Sequence, residues 1–356
     1  MIGMRIKQAR IAAQLSLREL AGKTGNYVSA QVIHKYELDK AIPGSDVLIK
    51  LAKALNVKIE YFFRPLKREV VLGEPAYRKR STVSQKEILS IHEKTKEVVE
   101  KYLEVEELFP ESRFKIEHPA NSIKRPISSF EEIEEFAREV RKKWKLGIDP
   151  IVNLVEVLEE RGVKVVMISS DDKIDGLSTW ANDTLPIIVV KENQPSDRLR
   201  FSLAHELGHL LMDTMKSINP EKAADRFAGA FLVPKEAVTI EFGESRNRIS
   251  IFELQTLRKK YGMSAQAWVY RLKDTGIINE QFYVRIWRVF NREKIFDKEL
   301  GDPLVKERPK RLEWLVVQAA EERLISQPRA AELLGISLDN FRKEYSIGDT
   351  DAEVHS

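Results

Sequence analysis

Along the first 65 positions, apolar residues recur at helical spacing in short stripes separated by polar turns. Ile2, Ile6 and Ala9 to Ala12 make one stripe, Leu17, Leu20 and Ala21 a second, Val32, Ile33 and Tyr36 a third, and Val47, Leu48, Leu51 and Leu55 a fourth. Four or five short helices are predicted, ending in an apolar tail from Asn56 to Phe63 and a break at Arg64 and Pro65. A stretch rich in Lys, Glu and Arg follows to about Ala120, with a long connector helix predicted from Gln85 to Glu107. The segment Glu117 to Ile127, with two prolines, reads as an irregular or extended link.

Further on, Ser129 to Trp144 reads as a helix opened by a capping box between Ser129 and Glu132, and Pro150 to Arg161 as a helix closed by Gly162. Strands are expected at Val163 to Ile168 and Ile187 to Val190, with Gly176 to Trp180 as a third candidate. Helices resume at Pro195 and fill most of the remainder. Near the end, Leu312 to Glu322, Gln327 to Leu334 and Leu338 to Tyr345 outline a second helical turn unit, read as a regulatory or dimerisation cap. The tail from Gly348 reads as disordered. Trp180, Trp268, Trp287 and Trp314 read as core anchors.

Composition narrows the classes. A chain of 356 residues has room for two or three domains. With 32% charged residues and no apolar run near the roughly 20 residues that a membrane span requires, a soluble protein without a membrane partner is expected. The N-terminus is charged from its fifth residue and lacks an apolar core and a small-residue cleavage site, so no secretion signal is read there. Cysteine is absent, which excludes disulfides and thiolate chemistry and suits a reducing cytoplasm. Any metal must then sit on His and carboxylate. A net charge of +4 permits nucleic-acid binding without demonstrating it.

Two stretches carry chemistry. In the first, Leu17 to Lys23, a turn at Gly25 and Asn26, and Ser29 to Lys35 outline a helix-turn-helix, whose second helix enters the major groove. Ser29 suits an N-cap, and Ala30, Gln31, His34 and Lys35 are its expected DNA-facing residues. Gln31 offers a bidentate amide to adenine, while Lys35, Arg5, Lys7 and Arg10 suit phosphates.

In the second, His205-Glu206-Leu207-Gly208-His209 places two imidazoles four residues apart, on one face of a helix, where they can bind one metal ion. Glu206 is placed to hold and deprotonate a water there. A chance HExxH in a chain this long has a probability on the order of a few per cent or less. The flanking Phe201, Leu203, Ala204, Leu207, Leu210 and Leu211 bury this helix, and a buried, unemployed Glu206 would be costly. Catalytic zinc commonly has three protein ligands and an open position. A third histidine at the extended HExxHxxGxxH spacing is excluded, because Met212 and Met215 stand at its Gly and His positions. A carboxylate is expected instead, and Glu221 is assigned, with Asp225 as the outer carboxylate that orients His205; Asp213 and Asp225 are the rival ligands. Tyr270 and Arg271 are candidate donors to a developing oxyanion, Tyr270 equally a core aromatic.

Residues 3 to 63 resemble the Xre (Cro/repressor-like) helix-turn-helix family in the order of their motifs, with Leu17 where the family often has a phosphate-binding Gln and a turn before Val28 about two residues longer. RFSLAHELGHLL, EKAADRFAGAFLVP and LRKKYGMSAQAWVYRLKDTGII resemble the gluzincin pattern and, more closely, the ImmA/IrrE metallo-endopeptidases, over roughly residues 130 to 280. Ala223 stands where that family often has a second Glu. The resemblance implies zinc, with manganese as a substitute, and site-specific cleavage of a repressor-type protein after stress. The expected class is α+β and mostly helical: an all-α helix-turn-helix domain, then a gluzincin-like metallopeptidase domain with a small sheet and a helical C-terminal region. The expected division is residues 1–65, a connector at 66–127, the peptidase domain at 128–282, C-terminal helices at 283–347 and a tail at 348–356. A homodimer on paired half-sites of a double-stranded DNA operator is the expected assembly. Two other readings stand beside this one: a regulator whose metal domain is a non-proteolytic sensor, and an antitoxin-type autoregulator.

Overall fold

The computed structural model describes residues 2–64, 69–73, 84–110, 113, 116, 119–168, 174–293, 295 and 301–345. The expected tail lies outside them, as do residues 74–83 of the Lys-, Glu- and Arg-rich stretch. Helices dominate, joined by two small sheets. Among the described residues no helix is long and apolar enough to cross a membrane. The chain divides into two compact units. The first takes the described residues up to 72, those from 84 to 113, and 310 to 345; the second takes Gly73 and the described residues from 116 to 309.

The first unit opens with α1 (Ile2–Ala12), α2 (Leu17–Lys23), α3 (Ala30–Glu37) and α4 (Ser45–Leu55). Ser16 and Glu19 form a reciprocal capping box on α2, and Ser29 caps α3 through Val32 N at 3.3 Å. Ile6, Leu20, Ile33, Leu51 and Phe62 are buried completely, giving the four helices one core. α5 (Gln85–Glu106) also belongs to this unit, as do α14 (Arg311–Glu321), α15 (Gln327–Leu334) and α16 (Leu338–Tyr345). Tyr102 and Val105 of α5 pack with Leu315, Val316, Ala331 and Phe341 in a second core. The C-terminal helices are thus built onto the unit that carries the N-terminal helix-turn-helix. Trp314, expected to be an anchor, is half exposed: Leu315, Val316 and Ala319 form the buried stripe of its helix instead.

The second unit contains β1 (Arg125–Ile127), α6 (Phe130–Lys143), α7 (Leu154–Glu160), β2 (Lys164–Ile168), β3 (Gly176–Ala181), β4 (Leu185–Lys191), α8 (Ser196–Leu211), β5 (Met212–Thr214) and α9 (Pro220–Leu232). α10 (Lys235–Phe242), α11 (Ile251–Tyr261), α12 (Ala265–Asp274) and α13 (Glu280–Arg292) complete it. β4 is the centre of a three-stranded sheet, parallel to β2 and antiparallel to β3. Its run Ile187, Ile188, Val189 and Val190 is buried on both faces, as a central strand requires. A second, two-stranded sheet pairs Arg125 with Met212 and Ile127 with Thr214 in parallel. Three residues per strand carry no readable alternation, so the sequence marked one as a link and the other not at all.

Two helix starts differ from expectation. α7 begins at Leu154 because Asn153 caps it and Glu307 accepts from the amides of Leu154 and Val155. On α6, Ser129 accepts from Glu132 N, but the Glu132 carboxylate turns to Ser128 instead of closing the box on Ser129. Arg141 of α6 is fully buried and donates to the carbonyls of Gly147, Asp149 and Phe231, tying α6 to the end of α9. Burial lowers its pKa to about 10, against the pull of Asp149.

Candidate metal centre

α8 and α9 form the site. Gly208 lets them approach: a methyl group there would lie 3.1 Å from the Phe227 ring and 3.3 Å from the Ala224 backbone. Phe227 in turn stacks on Phe231 and packs against Phe136, fixing α9 from the side of α6. α9 is set by Asn219, which accepts from Lys222 N at 3.0 Å, and by Pro220 in its first turn. Glu221 therefore stands in the first turn, where the helix dipole favours a carboxylate.

His205 Nε2 lies 3.1 Å from His209 Nε2 and 3.5 Å from one Glu221 oxygen; His209 Nε2 lies 3.4 Å from the other. Four ligands at about 2.0–2.1 Å in a tetrahedron around zinc would be spaced roughly 3.3 Å apart. The three side chains would fit the donor spacing of a tetrahedral ion and could hold one. Among the described residues they are the one group of three metal-capable side chains found. Of the rival ligands, Asp213 is in β5 beside Pro126, outside this group. Asp225 sits one turn beyond Glu221, its Oδ1 2.8 Å from His205 Nδ1.

Burial opposes a charge on His205, but hydrogen bonds to Asp225 and Glu221 outweigh it and hold its pKa up at about 9. Hydrogen bonds from the same two imidazoles hold Glu221 well below the usual carboxylate range. Glu206 behaves oppositely, because burial raises its pKa. Its carboxylate accepts from Ser178 Oγ on β3 at 2.8 Å, a contact that sequence reasoning missed. Nothing local in Gly176-Leu177-Ser178 signals it; the partners are joined only by packing of β3 on α8.

A cleft of about 1030 Å³ opens beside Asp225, with Phe201, Lys222, Gln266 and Tyr270 in its wall. Tyr270 is half exposed there, its ring against Tyr283 and Trp287, which removes the core-aromatic reading. Arg271 is turned inward: its Nε donates to Val233 O at 2.8 Å and its guanidinium grips both oxygens of Glu134. It is committed to the core and unable to serve an oxyanion.

On the helix-turn-helix, Ser29, Gln31, His34 and Lys35 are exposed and Ala30 is half buried, all on or capping α3. Lys7 is exposed as expected, but Arg10 and Arg5 are not phosphate arms. Arg10 forms a two-pronged pair with Glu37 at 2.6 and 2.8 Å, and Arg5 is buried against Glu100 at 2.7 Å.

Such a chain combines two classes of domain, a small helix-turn-helix and a helical unit with an HExxH-plus-carboxylate centre. Residues 6–62 match the helix-turn-helix family model, and residues 158–273 match the peptidase M78 model, the IrrE N-terminal-like domain. Two stretches of the chain are thus similar to known domains, the first to an Xre-like helix-turn-helix and the second to the IrrE/ImmA type. It is 40% identical over 76 residues, 21% of its length, to an uncharacterized transcriptional regulator in the ATPase CF(0) region of Rhodospirillum rubrum. It is also 37% identical over 79 residues, 22% of its length, to multiprotein-bridging factor 1 of Candida albicans. It covers 65% of the first relative and 46% of the second, less than two thirds of either. No solved structure matches it.

Proposed function

We propose that this chain is a cytoplasmic, DNA-binding transcriptional regulator whose second unit is a metal-dependent endopeptidase, acting on a repressor-type protein in response to stress. The observation that carries the reading is the convergence of His205, His209 and Glu221 at 3.1–3.5 Å with Glu206 on the same helix. Zinc suits that donor set, with manganese as an alternative. When bound, the ion supplies a Lewis acid for the scissile carbonyl and lowers the pKa of water at its open position. Glu206 takes the proton of the attacking water and returns it to the leaving amine; burial raises its pKa, which makes its carboxylate a better proton acceptor. Asp225 holds the His205 ring with Nε2 toward the centre. The adjoining cleft receives the polypeptide, with the Tyr270 hydroxyl on its wall as donor to the oxyanion.

In the first unit, α3 is the recognition helix, with Gln31 on a base edge and Lys35 and Lys7 on phosphates. Two copies on paired half-sites form the regulatory dimer. The repressor-type substrate is supported by the resemblance to the ImmA/IrrE peptidases and by the fused DNA-binding fold. The test is metal analysis of the wild-type protein, then incubation of wild type and Glu206→Gln with helix-turn-helix repressors from the same cell. One ion per chain and cleavage lost in the variant would sustain the reading. One ion with no cleavage of any repressor, and DNA binding intact, would favour a metal-dependent sensor.

A further inference from the structure

We propose that β3 is the positioning element for Glu206: the Ser178 hydroxyl and the missing side chain at Gly176 together fix the carboxylate's rotamer. This rests on the reading of Glu206 as the proton acceptor. Glu206 is 6% exposed, and its carboxylate lies against β3. A methyl group on Gly176 would stand 3.0 Å from its Oε1 and 3.1 Å from its Cγ, so any larger residue there would push the carboxylate aside by a few tenths of an ångström. Two residues along, on the same face of the strand, Ser178 Oγ donates to Oε2 at 2.8 Å. Ser178 is itself 1% exposed and paired in register with Ile188 on the central strand, so its hydroxyl is carried by a rigid backbone.

A glutamate has three rotatable bonds, so a buried carboxylate without a fixed donor has several rotamers open to it. Ser178 occupies one oxygen and Gly176 admits the carboxylate flat against the strand. The carboxylate is thereby held in one place against the strand, beside the helix turn that carries His205 and His209. Ser178 and Gly176 act through Glu206 and are positioning residues, not catalytic ones.

The experiment compares zinc-loaded, full-length wild type with Ser178→Ala, Ser178→Thr and Gly176→Ala, by crystal structure and by kinetics on fluorescein-labelled casein. In the crystals, Ser178→Ala is expected to move the Glu206 carboxylate by on the order of 1 Å and Gly176→Ala by a few tenths of an ångström, while His205, His209 and Glu221 superpose. Ser178→Thr, which keeps the hydroxyl, is expected to hold it in place. In kinetics, Ser178→Ala should lower kcat about tenfold or more with KM nearly unchanged, and Ser178→Thr should restore most of it. An unmoved carboxylate in both Ser178→Ala and Gly176→Ala overturns the proposal whatever the kinetics. So does a Ser178→Ala effect confined to KM. A carboxylate that moves as expected in a protein that cleaves neither casein nor the helix-turn-helix repressors would leave the positioning intact and remove the peptidase reading.

Discussion

His205 Nδ1 and Asp225 Oδ1 meet at 2.8 Å, across the packed face of α8 and α9. The contact fixes which ring nitrogen faces the centre and makes that nitrogen more basic. Asp225→Asn keeps the shape and removes the charge, so zinc affinity should fall about 10- to 100-fold, with the fold unchanged. Titration against a competing chelator measures this directly. Affinity within twofold of wild type would mean that Asp225 is only a surface carboxylate.

Gly208 makes a complementary prediction about distance. With Phe227 and Ala224 within 3.3 Å of the place a methyl group would occupy, Gly208→Ala forces α8 and α9 apart. Overpacking of this kind typically costs about 1–3 kcal/mol. The histidines are on α8 and Glu221 on α9, so metal affinity should fall together with stability. Thermal melts with and without EDTA separate the two: the stabilisation that zinc confers on wild type should shrink in the variant. A variant destabilised as expected but with full zinc stabilisation would show that the ligands do not depend on this approach.

What was legible in the chain was local. The i, i+4 spacing of His205 and His209 is a property of one helix, and the stripe of Ala224, Phe227, Ala228 and Phe231 marked the second helix and its buried face. Three strands could be read because β4 carries the apolar run Ile187 to Val190 after Pro186, while Gly162 precedes β2 and Gly176 opens β3. What the sequence concealed was pairing between distant segments. Ser178 against Glu206, Glu134 against Arg271, Arg10 against Glu37 and the two short strands β1 and β5 depend on packing, which leaves no periodic trace in either partner. The two arginines were misread for the same reason: on a helix surface a phosphate arm and an intramolecular clamp have one sequence signature.

That distinction predicts different outcomes for three basic or polar residues of the first unit. Arg10→Ala should destabilise the unit by about 2 kcal/mol, since it leaves the buried Glu37 carboxylate without its two-pronged partner. Gln31→Ala, on an exposed position of α3, should leave stability alone and weaken binding to the cognate operator more than to random DNA. Lys35→Ala should weaken both about equally and lower the salt dependence. Melting curves and binding isotherms at two salt concentrations read all three. Equal losses for Gln31→Ala on operator and random DNA would refute a base-reading role.

The last prediction concerns acid stability of the second unit and follows from Glu134. Its carboxylate is held by Arg271, whose side chain is completely buried, and by Arg226 at 2.6 Å. Burial alone would raise the Glu134 pKa, but the hydrogen bond and charge of Arg271, joined by Arg226, hold it below its ordinary value of 4.5. A carboxyl group with a depressed folded-state pKa contributes stability above the unfolded value and loses it as pH falls through the folded one. Asp274, on the other side of Arg226, works in the opposite sense, because burial raises its pKa and protonation relieves it. The net acid response of wild type mixes the two, whereas the difference between wild type and Glu134→Gln isolates the first. That difference should be about 2 kcal/mol at pH 6, the cost of leaving a buried guanidinium against a neutral amide. It should start to shrink as pH falls below about 4.5, where the carboxyl of the unfolded chain takes up its proton while Arg271 and Arg226 still hold the folded one ionised, and go on shrinking until the folded group is protonated too. Urea unfolding followed by tryptophan fluorescence reports chiefly on this unit, which holds Trp144, Trp180, Trp268 and Trp287 of the chain's five. A difference that stayed constant from pH 6 to pH 3.5 would mean that Glu134 acts through shape alone and that its charge does not stabilise the buried Arg271.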